Sequence, residues 1–139
     1  MKYILSFIIP LLIITTNSCA GKKVKKYTLT KDVEASIISF RDNDHFSEKN
    51  WDKRGLVPSP QNVLKQMQAC VYNAVNGIIK DKGKLTEEKI KSIIEDELLK
   101  TKSMDTEERE FLAETFYELS SILKIACKEI LNELFILIN

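Results

Sequence analysis

From Phe111 to Ile138 apolar side chains recur at every third or fourth position, and neither Gly nor Pro interrupts them. That spacing lays one continuous apolar stripe along a helix. Asp105, with Glu108 three residues later, reads as a capping box, and Asp105 and Arg109 are spaced as an i, i+4 ion pair. Together these features predict a last helix of about 33 residues, against a usual length of 11 or 12. The same period appears three more times. Ser59-Pro60 opens a stripe of Leu64, Met67, Val71, Val75 and Ile78, predicting a helix to about Lys80 that Gly77 could end early. Thr86 precedes Ile90, Ile93, Ile94 and Leu98, and Thr30 precedes Val33, Ile37 and Phe40. Ile37-Ile38 is a β-branched pair that a strand would also accept. Short connections between such stripes predict an all-α fold: a small antiparallel helical bundle of about four helices with a long C-terminal helix.

The chain begins with a positive Met1-Lys2 and an apolar run from Ile4 to Ile14, broken only by Ser6 and Pro10. The run is about half the length that crosses a bilayer, so it reads as a signal segment over residues 1–18. It ends in Ser18-Cys19, which resembles the lipobox of bacterial lipoproteins. The resemblance implies cleavage before Cys19 and a lipid on that cysteine. Thr16 and Asn17 depart from the usual pattern, and cleavage after Ala20, with soluble secretion, is the alternative. The expected organisation is therefore a signal peptide, a basic tether over residues 19–29 and a helical domain over 30–139. The expected location is the cell envelope, with the membrane as partner through the anchor.

Charge supports that division. Lys22, Lys23, Lys25 and Lys26 cluster behind the signal segment, while the chain from Tyr27 on holds 16 basic and 20 acidic residues. An acidic domain argues against nucleic acid as a partner. The lysines read as a solvated linker or as a contact to anionic headgroups.

Little of the chemistry of catalysis is present. A single histidine, His45, excludes His-pair metal sites and weakens any Ser-His-acid reading. Asp42-Asn43-Asp44 starts like a calcium loop, but Phe46 takes the next ligand position and no Gly follows. No metal, no cofactor and no catalytic residue is predicted. With Cys19 lipidated, Cys70 and Cys127 remain as an even pair; they read either as a disulfide or as two buried thiols. Residues 41–59 break the helical pattern and carry the one group with binding-site chemistry: Arg41, His45, Phe46, Trp51 and Arg54. The competing reading is that Phe46 and Trp51 seal the end of the bundle. Leu134 to Ile138 is apolar on every side of a helix, which implies burial or a protein partner.

The stretch Asp105-Thr106-Glu107-Glu108-Arg109-Glu110, followed by Phe116-Tyr117-Glu118-Leu119 and, later, Leu131-Asn132, resembles a mainly helical bacterial family known only as a domain of unknown function. The resemblance reaches back to about Leu56. Where that family has a Ser/Gly-rich break, this chain has Ile125 to Glu129, leaving open whether the last helix bends. It implies a helical fold and no activity. The functional expectation is a non-catalytic interaction or ligand-binding module of the cell envelope. The alternative is a periplasmic immunity or inhibitor protein acting on a toxin or hydrolase.

Overall fold

Three side chains start three helices as their positions predict. Thr30 Oγ1 accepts the Val33 N–H at 3.3 Å and Thr86 Oγ1 accepts the Lys89 N–H at 3.0 Å. Glu108 Oε2 accepts the Asp105 N–H at 2.9 Å, one half of the capping box. The structure is a computed structural model and describes residues 21, 24–129 and 131–132. The signal segment, Cys19 and the apolar tail over 133–139 lie outside the described residues.

Among the described residues there are five helices: α1 (Lys31–Asp42), α2 (Glu48–Lys53), α3 (Gln61–Lys80), α4 (Glu87–Leu99) and α5 (Thr106–Ile122). The fold is all-α, as expected. α3 is the central element and packs on α1, α4 and α5. Of these, α1 and α4 run antiparallel to it. Gly77 near its end faces Ile93 in the middle of α4, while Asn73 and Cys70 meet Glu97 near the end of α4. Likewise Lys82 beyond α3 pairs with Glu34 early in α1, and Asn76 bonds Arg41 late in α1. The core is formed where the stripes meet, with Ile37, Met67, Val71, Val75, Ile78, Ile90, Ile94, Leu112, Phe116 and Leu119 fully enclosed.

Several expectations are corrected. The segment over 41–59 is not all loop: Glu48–Lys53 forms α2, ended by Gly55 at a φ of 72° that only glycine adopts freely. Pro60, not Ser59, is the cap residue of α3, without a side-chain cap bond. The Asp105–Arg109 ion pair is not formed; Arg109 Nε is instead buried without a partner. The long last helix stops at Ile122. Lys124 turns into the left-handed region at a φ of 54°. Lys124 N–H donates to Ser121 O at 3.1 Å and Ile125 N–H to Ser120 O at 3.0 Å. This is a Schellman stop, with lysine where glycine is usual, and Ile125 is buried beneath it. Residues 128–129 and 131–132 are helical again.

Gly77 does not end α3. A Cβ at this position would sit 3.4 Å from Ile93 Cγ2, an ordinary contact with a half-buried side chain. Gly77→Ala is therefore expected to stabilise the protein by about 0.5–1 kcal/mol through helix propensity, read as a rise in the urea midpoint.

The segment expected as a tether over 19–29 meets the bundle from Lys26 on. Lys26 forms an isolated antiparallel bridge with Thr86, and Tyr27 N–H donates to Leu85 O at 2.8 Å. Tyr27 OH donates to Leu123 O at 2.7 Å. From Lys26 on, the N-terminal segment is strapped to the bundle.

Candidate functional site

Phe111 organises the region that the aromatic and basic residues were expected to form. It is the first apolar residue of the α5 stripe, and α5 aims it at the back of α2. Phe46 and Trp51 both meet its ring edge-on, each at 5.1 Å between centroids. The Arg54 guanidinium lies over the same ring at 4.5 Å, a cation–π contact, and Arg54 pairs with Glu114. Phe46 and Trp51 are only 2% and 1% exposed. Both belong to the hydrophobic core.

His45 and Arg54 remain accessible. His45 Nε2 donates to the Phe40 carbonyl at 2.6 Å, and its ring packs at a tilt against Phe40, 4.2 Å between centroids. This bond fixes the proton on Nε2. Asn50 Nδ2 ties the loop together by donating to Asp44 O and His45 O. A cleft of about 340 Å³ lies here, lined by His45, Asn50, Lys53, Arg54, Phe111, Thr115 and Glu118. Its floor is aromatic and its rim carries two cations opposite one carboxylate. The Thr115 hydroxyl is occupied, donating to Phe111 O at 2.8 Å. Arg54 Nε is buried and has no hydrogen-bond partner. An unpaired buried donor is costly, and Arg54 is also a wall residue of the cleft, so a small shift of its guanidinium would bring that donor to an acceptor there.

Arg41 does not join this group. Its guanidinium lies 5.1 Å over the Tyr72 ring, bonds Asn76 Oδ1 at 2.8 Å and pairs with Asp42 at 2.7 Å. The hydrogen bond from Arg41 holds the Asp42 carboxyl below its ordinary range. The five residues predicted as one site thus divide into two core aromatics, two cleft residues and one arginine on the α1–α3 face. Phe111, Asn50, Lys53, Thr115 and Glu118 were not predicted. Asn50 and Lys53 lie inside the segment singled out, but Phe111 looks like any other member of its stripe.

The Cys70–Cys127 bridge is not formed; both residues are buried free thiols. Cys70 Sγ lies 3.8 Å from Glu97 O, near the end of α4. Cys127 feels Lys91 and Glu87, near its start. About two turns of helix separate these places, beyond the reach of a disulfide. Burial, with Glu97 adding to it, pushes the Cys70 thiol up to about 11, and burial raises Cys127 as well. Among the described residues no group of His, Cys, Asp and Glu could hold a metal ion. None of their helices is long and apolar enough to cross a membrane.

Residues 28–136 match the model of a family described as Domain of unknown function (DUF4844). No curated protein and no solved structure matches the chain.

Proposed function

The chain belongs to the DUF4844 family, and from that premise we propose that it is a non-catalytic binding module of the cell envelope. In this reading a lipid on Cys19 holds it to the membrane, and the cleft between α2 and α5 takes a small polar ligand. The observation that carries it is the unpartnered Arg54 Nε at the cleft wall, above the Phe111 ring. An acceptor group on a ligand would satisfy that donor, and the flat apolar floor would hold the rest. Binding over turnover is supported by the cleft's lining: its Thr115 hydroxyl already donates to Phe111 O, and the Cys70 and Cys127 thiols are buried and held toward the protonated form.

The test is native mass spectrometry of the protein isolated from its own cells. An added small mass is expected on the wild-type chain. With Arg54→Ala the affinity for that molecule should fall about 10- to 100-fold, the worth of a hydrogen bond to a charged group. Helicity should not change, since the Arg54 side chain lies over the Phe111 ring and pairs with an exposed Glu114, and the α2 cap bonds are made by its backbone N–H. The same measurement reads the N-terminus. An acylated Cys19 supports the anchor, and an unmodified start at Gly21 overturns it. A single stoichiometric protein in place of a small mass would replace the ligand reading with the immunity or inhibitor reading.

A further inference from the structure

Tyr27 gathers three separate parts of the chain at one end of the bundle. Through Leu85 it holds the turn after α3, and through Leu123 the stop of α5. Each joined segment carries an exposed lysine beside the contact: Lys25 and Lys26 on the strap, Lys84 next to Leu85 and Lys124 next to Leu123. None of these four has a carboxylate within ion-pair distance among the described residues. Lysines that do have one lie nearby, with Lys82 on Glu34 and Lys89 on Asp81, so the neighbouring acids are largely neutralised. Of the other two, Glu87 is half-buried beside Tyr27, and Glu88 is exposed at the rim.

We propose that Lys25, Lys26, Lys84 and Lys124 form a docking surface for anionic phospholipid, which seats this end of the bundle against the membrane. The inference deepens the envelope reading and rests on it. Two observations point to a lipid surface as the occupant. The chain from Tyr27 on is acidic overall, so an anionic membrane favours an orientation that presents a basic end. Chain length also limits the distance. Seven residues separate Cys19 from Lys26, a reach of at most about 25 Å. A lipid on Cys19 therefore keeps the lysine-bearing end near the headgroups, where surface potential acts within about a Debye length. Lys124 adds a third indication. It occupies a left-handed position where glycine would cost less, so the fold itself does not call for lysine there.

The experiment uses the chain from Gly21 to Asn139, without lipid. It contains the whole described core and the whole family match. Co-sedimentation is measured with phosphatidylglycerol vesicles and with phosphatidylcholine vesicles, at low and at high salt. Binding to phosphatidylglycerol alone, lost at high salt, is expected. Lys84→Gln and Lys124→Gly should each weaken it about fivefold, and together about 25-fold. Lys124→Gly relaxes the α5 stop, so its thermal midpoint should not fall and misfolding cannot explain the loss. Equal binding to both vesicles, no binding at low salt, or unchanged binding in the double variant would each overturn the proposal. The anchor is read separately from the mass of the N-terminus. Acylated Cys19 without phosphatidylglycerol binding sinks the surface and leaves the anchor. Phosphatidylglycerol binding with an unmodified N-terminus does the reverse.

Discussion

Trp51→Ala is expected to destabilise the protein by about 3–5 kcal/mol, the cost of emptying a large aromatic site. Trp51 is 1% exposed and rests edge-on against Phe111, so no solvent can fill the space it leaves. A domain of this size has about 5–15 kcal/mol in total, so much of the margin goes with one side chain. The measurement is a urea titration followed by circular dichroism, since the variant has no other tryptophan to report. Trp51→Phe should cost less, because it also removes an indole N–H that is buried without a partner. Val57→Ala, at a residue 86% exposed, should stay within about 0.5 kcal/mol. A Trp51→Ala midpoint close to wild type would mean that the α2 segment is not part of the cooperative core. For the same reason Trp51 is a poor position for probing ligand binding, and Arg54 a good one.

Cys70 should react with a disulfide reagent at pH 8 at least about a hundredfold more slowly in the folded protein than in urea. The thiolate is the nucleophile. Raising the thiol from its ordinary 9.0 to about 11 lowers the thiolate fraction by about two powers of ten, and enclosure slows the reagent further. Between pH 8 and 10 the folded rate should climb about tenfold per unit, while the unfolded rate levels off near 9. The linkage has a definite sign. The folded state keeps its proton to a higher pH than the unfolded state, so this contribution is complete below pH 9. It is lost as pH rises toward about 11. Folded and unfolded rates that agree would place Cys70 at the surface. A mass loss of two protons that reverses on reduction would restore the bridge to Cys127.

What could be read from the residues alone was the local part. Thr30, Thr86 and Asp105 announce helix starts because a cap is a bond between residues three apart in sequence. The stripes on α3 and α4 announce their buried faces by period alone. The end of α5 was hidden because its stop is built without glycine: Lys124 accepts the left-handed turn while Ile125 folds under the helix. α2 was hidden because six residues are too few to show a period. The composition of residues 41–59 singled out the stretch that supplies His45, Asn50, Lys53 and Arg54 to the cleft. It could not show that Phe111, distant in sequence, is the surface on which Phe46, Trp51 and Arg54 converge. Nor could spacing show that Cys70 and Cys127 flank opposite ends of α4, since that depends on how the helices are laid side by side.

The Tyr27–Leu123 contact joins positions 96 residues apart. Tyr27 is synthesised 96 residues before its acceptor. The strap therefore cannot be seated until α5 has been made and has stopped, and closing so long a loop comes after the local helices form. An earlier contact would have to be with something else. Until Leu123 has been made, the Tyr27 segment has no native place to dock, so this end of the bundle is the last part of the described fold to close.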